Sequence, residues 1–189
     1  ENVMDFYESS LKRFTYRAGR EKTYLAKNVM STGRFKSLMQ RFPLAKIMYI
    51  ARHPYDSVAS GARRLTARDK ITVPKMHDNA PPKKAWAQLG IDFFKYSKEM
   101  RTTIPPAQFI EIKYDDLLAD PQATVKRIYS YFGWEPSQNF IERLSKEQTR
   151  QSNYRSAHEY SLEQYGFTKH EIYRELEDIM DEMGFEKEF

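Results

Sequence analysis

The sequence predicts an α/β fold, a three-layer sandwich in which helices flank a short parallel sheet. The apolar run at residues 47–51 is rich in β-branched and aromatic side chains and is bounded by charge, which is typical of a strand buried on both faces. A second strand, with alternating apolar residues, is predicted within 109–117. The segments around these runs carry apolar residues every three or four positions, the spacing of amphipathic helices. Strands that alternate with helices favour right-handed crossovers and a parallel sheet.

The amino-terminal part of the chain predicts three elements before the strand at 47–51. Apolar residues at helical spacing predict a helix over 2–18. A short strand is predicted at 23–28, followed by a helix whose apolar face includes Phe35 and whose end is marked by Pro43. This order of elements predicts a βαβ crossover.

The remainder of the chain predicts further helices and one long loop. Residues 66–84 are polar and contain prolines, so we expect a surface loop. Asp120 and Pro121 are predicted to begin a helix as N-cap and first helical residue. A capping box at Thr168 and Glu171 predicts the start of the closing helix. Apolar stripes also predict helices over 86–100 and 140–150, and a polar, irregular segment follows at 151–161.

Length and composition favour one folded domain over residues 1–189. Because the chain has no cysteine, a disulfide framework, a cysteine-ligated zinc and a thiol nucleophile are excluded. The four histidines show no ligand spacing beside acidic residues, so no metal is predicted. No apolar run reaches the roughly 20 residues of a membrane span, and no signal-peptide pattern occurs. The chain opens with Glu1, and we expect that an initial amino-terminal segment is missing.

The net charge of +5 is unevenly distributed along the chain. Residues 1–100 contain 20 Lys and Arg against 9 Asp and Glu, whereas residues 101–189 contain 11 against 17. Such an asymmetry favours an anionic partner, which could be a nucleotide, an acidic glycan or a nucleic acid. No motif typical of nucleic-acid binding accompanies the charge, so nucleic acid is not predicted as a partner. A solvated basic face is the alternative explanation.

The end of the strand at 47–51 combines several signals for an anion site. Arg52 follows the strand, and Pro54 suits the first position of a helix because its φ is fixed. Asp56 complements the helix N-terminus, and Ser60 lies two turns along the helix. Anionic ligands bind beyond the carboxyl end of a parallel strand, next to a helix N-terminus. Alternatively, Arg52 is a surface charge and Ser60 a small packing residue.

The pattern Arg52-x-Pro54-x-Asp56-x-x-x-Ser60, entered from an apolar strand, resembles the 3′-phosphate-binding segment of sulfotransferases that use 3′-phosphoadenosine 5′-phosphosulfate (PAPS). In that family the arginine and the serine stand eight residues apart, as they do here. The resemblance implies that Arg52 and Ser60 bind the 3′-phosphate of PAPS.

A lysine upstream extends the resemblance. Leu25-Ala-Lys27-Asn28 is similar to the family's strand end, where a lysine contacts the phosphosulfate bridge. A compact ammonium stabilises negative charge on the bridging oxygen as the S–O bond breaks. The resemblance therefore implies a catalytic role for Lys27. Lys22 is an alternative candidate for this role. Alternatively, Lys27 is only a surface lysine at the end of a strand.

Two downstream segments also match the family. The stretch that opens with Tyr114-Asp-Asp-Leu and ends at Gly133 resembles the family's Tyr-Glu-Asp-Leu…Pro…Leu-Gly stretch, with Asp115 in place of glutamate. The resemblance implies that Tyr114 lies near the adenine; core packing is the alternative.

The irregular segment at 151–161 lies where the family has a basic loop that closes over the 3′-phosphate. Ser156-x-His158-x-Tyr-Ser-Leu is similar to a segment of one subgroup. The resemblance implies cofactor binding by Arg155 and Ser156, and Arg155 suits this role because a guanidinium can bind phosphate in a bidentate manner. His158 is either a structural residue of the loop or a catalytic base on the acceptor side.

One family element has no counterpart in the chain. Sulfotransferases hold the 5′-phosphosulfate in a glycine-containing loop after their first strand, and no such pattern occurs here. The resemblance thus covers about residues 22–185 and implies a P-loop-type sulfotransferase fold that lacks its first strand and loop. This absence argues against catalysis by these 189 residues alone.

The resemblance implies transfer of a sulfuryl group from PAPS to a hydroxyl or amine, with adenosine 3′,5′-bisphosphate as product and no metal. The acceptor could be a carbohydrate, a small alcohol, a lipid or a carrier-bound metabolite, and the loop expected at 66–84 would lie near the acceptor site. The sequence indicates no oligomeric state. Cytoplasmic localisation is expected if the preceding segment carries no targeting or membrane signal. Two alternatives remain, a nucleotide phosphotransferase of related fold and a non-catalytic module that binds anions or glycans.

Overall fold

The computed structural model describes residues 3–19, 22–72, 82–151 and 161–187. The chain divides into two compact units, Glu1–Ala45 and Lys46–Phe189, and each is described by itself. The sequence predicts a single domain, and the division into two units is finer than that. The single domain stays a prediction.

The first unit contains two helices joined by an irregular segment and a 3₁₀ helix. Helix α1 spans Val3–Ala18, as predicted, and the 3₁₀ helix Val29–Arg34 leads directly into α2, Phe35–Arg41. None of the described residues of α1 is buried. The unit therefore has little apolar core, and polar contacts must contribute much of its cohesion.

Contacts between α1 and α2 hold the first unit together. The Arg41 guanidinium forms a 2.9 Å ion pair with Asp5 and a second ion pair with Glu8. The rings of Tyr7 and Phe42 meet edge to face, with their centroids 6.2 Å apart. These groups lie on successive turns of α1, so α2 is fixed along one side of that helix.

The strand predicted at 23–28 is not formed, and this prediction is wrong. Residues 22–28 have no regular secondary structure, and their side chains are exposed. A β-strand is stable only when a neighbour pairs with its backbone, and no described strand pairs with this segment. The predicted βαβ crossover through residues 23–51 is therefore also wrong.

The second unit is built on a parallel pair of strands, β1 (Ile47–Ala51) and β2 (Phe109–Lys113), the two strands of the sheet among the described residues. Their register runs from Ile47 opposite Phe109 to Ala51 opposite Lys113. Helices α3 (Pro54–Thr72) and α4 (Pro82–Arg101) connect them. The predicted α/β class and parallel pairing are confirmed, in a chain that is mostly helical.

The rest of the second unit is helical. One 3₁₀ helix precedes β2, another precedes the closing helix, and α-helices follow β2. The bounds are Pro106–Gln108 and Glu163–Tyr165 for the 3₁₀ helices, Tyr114–Ala119 for α5, Pro121–Tyr131 for α6, Gln138–Gln151 for α7 and Lys169–Met183 for α8. Residues 114–117, which were predicted with the strand, begin α5 instead.

Two hydrophobic clusters cover opposite faces of the sheet. The larger joins α3, α4 and α8 through fully buried residues such as Val58, Ile91 and Leu176, and Tyr49 of β1 packs against it. The smaller joins β2 and α6 through Ile110, Ile112, Ile128 and Phe132. Strand β1 is less buried than predicted, because Ile50 remains 49% exposed.

The loop predicted at 66–84 is wrong at both ends, because α3 continues to Thr72 and α4 begins at Pro82. Residues 73–81 lie outside the described residues. One of the polar residues that suggested a loop, Asp69, is buried between α3 and α4. The buried carboxylate of Asp69 accepts a 2.6 Å hydrogen bond from the Trp86 indole and forms an ion pair with Arg68. A buried polar residue with such partners is compatible with a helix interior.

The predicted helix caps are present. Asp120 accepts a hydrogen bond from the backbone of Ala123 at 2.9 Å, at the start of α6. Thr168 and Glu171 form the reciprocal capping box at the start of α8. Gly184 ends that helix with a positive φ of 60°, a conformation that glycine adopts without strain.

Ion pairs join the outer faces of α4 and α8. Lys98 donates to Asp178 at 2.8 Å and lies 3.3 Å from Glu182. Lys95 and Arg101 pair with Glu175 and Glu182 on either side of this contact. The hydrogen bond from Lys98 lowers the pKa of Asp178 below its ordinary value.

We predict that the Lys98→Met variant shows a weaker acid dependence of stability than the unaltered chain. The folded-state pKa of Asp178 is lowered, so the unfolded state binds more protons and stability falls as the pH drops below about 4. Removing Lys98 removes part of this dependence. The measurement is the free energy of unfolding in urea between pH 2.5 and pH 6, and equal slopes for both proteins would contradict the prediction.

Candidate functional site

The candidate site lies where both strands of the sheet end at the same edge. The register places Ala51 opposite Lys113, so Arg52 and Tyr114 are the first residues beyond the paired strands. Helix α3 begins two residues after Arg52, and the first backbone N–H groups of a helix have no partner within it. A cation, an aromatic ring and a helix N-terminus therefore meet at this edge.

Asp56 and Tyr114 both contact the Arg52 guanidinium. Its Nη2 donates to the carboxylate of Asp56 at 3.1 Å, and its Cζ lies 5.3 Å from the centre of the Tyr114 ring. The Arg52 side chain is 32% exposed, so it remains in contact with solvent. The carboxylate and the ring together fix where the positive charge lies.

Ser60 lies on the same face of α3 as Asp56, one turn further on. Residues four apart on a helix are neighbours on its surface, and the Asp56 contact places Arg52 at the foot of this face. Ser60 is partly buried and Asp56 is exposed. The positive end of the helix dipole acts at the same place. Together, the guanidinium, the hydroxyl and the first turn of α3 form a surface suited to a phosphate group.

Lys113 is a second cation at this edge that sequence reasoning missed. It is the last residue of β2, and its ammonium lies 6.0 Å from the centre of the Phe185 ring. The same ammonium lies close to Gly184, where an added Cβ would be 3.6 Å away. Only the strand register shows that this lysine ends its strand beside Ala51, and one sequence alone carries no signal for that pairing.

Lys27 belongs to the first unit. It lies in the irregular segment before the 3₁₀ helix, and its side chain is exposed. The next residue, Asn28, caps that helix by accepting a hydrogen bond from the backbone of Met30 at 2.9 Å. Lys27 does not end a strand, and its juxtaposition with Arg52 stays a prediction.

Arg155, Ser156 and His158 lie outside the described residues, so their predicted roles remain predictions. Within the part of the chain that the structure describes, no cluster of three or more His, Asp or Glu side chains could hold a metal ion. Among the same residues, none of the helices is both long and apolar enough to cross a membrane.

Comparison with known families gives a match that covers the site. The sequence model described as "Sulfotransferase family" matches residues 2–139, which is more than half of the chain. Lys27, Arg52, Ser60 and Tyr114 lie inside the matched range, whereas Arg155 and its neighbours lie beyond it.

Two curated relatives are similar over almost the whole chain. They are the omega-hydroxy-beta-dihydromenaquinone-9 sulfotransferases Stf3 of Mycobacterium bovis and Mycobacterium tuberculosis, each 23% identical over 193 residues. The alignments cover 97% of this chain and 47% of each relative. The chain therefore spans about half the length of the curated relatives it matches.

Two solved structures have a similar fold. The sulfotransferase STF9 from Mycobacterium avium superposes with a TM-score of 0.66 at 17% identity, over 84% of this chain and 41% of that one. The sulfotransferase domain from the curacin biosynthetic pathway superposes with a TM-score of 0.55 at 13% identity, over 89% of this chain and 64% of that domain.

We predict that the ring of Tyr114 contributes to anion binding through Arg52. Tyr114→Leu removes the ring and should weaken binding of adenosine 3′,5′-bisphosphate roughly fivefold, because a cation–π contact is worth about 1 kcal/mol. Tyr114→Phe keeps the ring and should bind as the unaltered chain does. Isothermal titration calorimetry gives the affinities. An equal loss in both variants would instead indicate a role for the tyrosine hydroxyl, and no loss in either would exclude the ring from binding.

Proposed function

Because the chain belongs to the sulfotransferase family, we propose that it contributes the 3′-phosphate site of an enzyme that transfers a sulfuryl group from PAPS to an acceptor. The observation that carries the proposal is the placement of Arg52 at the N-terminus of α3, fixed by Asp56 and Tyr114. The relatives' names identify sulfotransferases, which supports the same chemistry.

The residues of the site fit one end of this cofactor. A phosphate needs positive charge and several hydrogen-bond donors, and Arg52, Ser60 and the first turn of α3 provide both. The fit does not extend to the 5′-phosphosulfate, because the pattern of the family's glycine-containing loop does not occur in the sequence. We therefore propose that the fold is the P-loop-type sulfotransferase fold without its first strand and loop.

Each proposed residue has one physical task. PAPS, when bound, supplies an activated sulfuryl group for in-line transfer to the acceptor. Arg52 and Ser60 orient the cofactor by holding its 3′-phosphate, and Tyr114 supports Arg52. Lys27 supplies the positive charge that stabilises the leaving phosphate. Arg155 and Ser156 are proposed to close the site, and His158 to act as the acceptor's base or as a structural residue of the loop.

We propose a hydroxyl as the acceptor group. The name of Stf3 specifies a hydroxylated dihydromenaquinone, and the alignment with Stf3 covers 97% of this chain. A hydroxyl needs a base to accept its proton during transfer, and an oxygen nucleophile suits attack on a sulfuryl group. The carbon skeleton that carries the hydroxyl remains open among carbohydrates, small alcohols, lipids and carrier-bound metabolites.

We predict that Arg52→Ala removes the preference for a 3′-phosphate. A ligand at 100 times its Kd adds about 2.7 kcal/mol to folded-state stability, so binding is visible as a rise in Tm. Adenosine 3′,5′-bisphosphate should raise the Tm of the unaltered chain more than adenosine 5′-monophosphate does. Loss of the charged hydrogen bonds should weaken bisphosphate binding at least tenfold, since each contributes about 1.5–3 kcal/mol.

Arg174→Ala is the matched control for Arg52→Ala. Arg174 is an exposed arginine in the first half of α8, away from the candidate site, and its removal changes the net charge equally. This variant should keep the preference for the bisphosphate. If the unaltered chain binds both nucleotides equally and releases them equally with salt, the alternative of a non-catalytic anion-binding module gains support.

We predict that Lys27→Met slows sulfuryl transfer about a hundredfold or more, because the loss of one stabilising group at a developing anion typically costs about 2.7–4 kcal/mol. Lys22→Met, in the same exposed segment, should leave the rate unchanged. The measurement is the rate at which adenosine 3′,5′-bisphosphate is released from PAPS. It uses the longest natural form of the protein that contains these 189 residues. A larger effect of Lys22→Met would reassign the role to Lys22.

A further inference from the structure

His53 lies between Arg52 and the first residue of α3, and it caps this helix. Its backbone carbonyl accepts a hydrogen bond from the Ser57 N–H at 2.9 Å. Its ring Nδ1 accepts one from the Tyr55 N–H at 3.3 Å. A side-chain acceptor at this position satisfies a backbone donor that has no partner within the helix. The N-cap position is usually filled by Asn, Asp, Ser or Thr, and here an imidazole provides the acceptor.

A second contact selects the form of the ring that can act as this cap. Nε2 of His53 lies 2.9 Å from the backbone carbonyl oxygen of Glu186. A carbonyl oxygen can only accept, so Nε2 carries the hydrogen in this bond. In the neutral ring, Nδ1 then keeps its lone pair, which the Tyr55 N–H requires. The carbonyl of Glu186 thus favours the tautomer of His53 that caps α3.

The Glu186 carbonyl is itself held in place from both sides. The Phe185 N–H donates to the carbonyl of Met180 at 2.9 Å, and the Phe185 side chain is buried. The ammonium of Lys187 forms a 2.7 Å ion pair with Asp181. The rings of His53 and Phe185 also pack together, with their centroids 5.1 Å apart. The imidazole therefore meets an acceptor that other contacts of α8 already fix.

The cap acts on the candidate site through Asp56. This residue lies in the first turn of α3, and its carboxylate accepts the hydrogen bond from Arg52. When the first turn of a helix loses its cap, that turn frays and its side chains lose their fixed positions. Asp56 would then no longer hold the guanidinium of Arg52 over the helix N-terminus.

We propose that His53 is a positioning residue for Arg52, which it supports by capping the turn that carries Asp56. The inference rests on the proposed function, because its consequence is binding of the cofactor's 3′-phosphate. His53 itself contacts backbone groups and the rings of Tyr55 and Phe185, and we assign it no part in the chemical step.

The test compares His53→Ala with His53→Asn in the 189-residue chain. Calorimetry gives the affinities for adenosine 3′,5′-bisphosphate and adenosine 5′-monophosphate, and their ratio is the preference for a 3′-phosphate. The alanine variant, which lacks the cap, should lower this ratio roughly fivefold, the size of effect typical of a lost N-cap. Asparagine is among the best N-cap residues, so the asparagine variant should restore most of the preference.

Ser137→Ala is the control for a general loss of stability. It removes the hydrogen bond that the Ser137 side chain accepts from the Phe140 N–H at the start of α7, and the nearby Trp134 contacts Lys46 at the opposite end of β1 from Arg52. Its Tm should fall about as far as that of His53→Ala, while the preference for the bisphosphate stays unchanged. An equal loss of preference in Ser137→Ala would overturn the inference, as would an unchanged ratio in His53→Ala or a failure of asparagine to restore it. If the unaltered chain shows no preference, the proposed function fails before His53 is tested.

Discussion

The parallel pairing of β1 and β2 is the constraint on which the second unit depends. Parallel strands need a long crossover, and α3 and α4 supply it. The pairing also brings the carboxyl ends of both strands to one edge, so Arg52 and Tyr114 become neighbours although 61 residues lie between them in the chain. A shift of register by one residue would move Tyr114 away from Arg52 and turn the buried residues of β2 out of their clusters. The fold and the candidate site are thus set by the same ladder.

Local features of the sequence predicted the parts of the structure that depend on local physics. Pro54 marks the start of α3 because its fixed φ suits that position, and Asp120 and Thr168 act as caps with donors a few residues away. The wrong predictions depend on distant partners. Residues 23–28 have suitable side chains for a strand, but no strand in the described part of the chain pairs with them. Residues 66–72 are helical, and α4 supplies Trp86 as a partner for the buried Asp69. The candidate site shows the same difference between local and distant features. Arg52, Asp56 and Ser60 lie in one local segment and could be predicted together. Lys113 could be placed at the site only once the register of the two strands was known.

The distribution of charge between the two units changes the meaning of the basic composition. Residues 1–45 contain nine Lys and Arg against four Asp and Glu, whereas residues 46–189 contain 22 of each. The unit that holds Arg52 is therefore neutral overall, so the proposed binding of an anion cannot depend on a general positive field. The proposal depends on the arrangement of a few groups, namely the Arg52 guanidinium, the Ser60 hydroxyl and the N-terminus of α3. The excess of positive charge belongs to the unit that carries Lys27.

The acidic partner of Arg52 has a structural purpose that outweighs its opposing charge. Asp56 reduces the net positive charge near the helix N-terminus, and its own carboxylate is 52% exposed, so the ion pair adds little stability. The ion pair instead fixes the orientation of the Arg52 side chain. An arginine without such a partner loses more side-chain entropy when a ligand orders it. Asp56 can direct Arg52 only while the first turn of α3 is intact. This first turn depends on the His53 cap and on Glu186, a residue after α8 whose carbonyl contacts the His53 ring. The end of the described chain therefore contributes to a site that lies more than 100 residues earlier in the sequence.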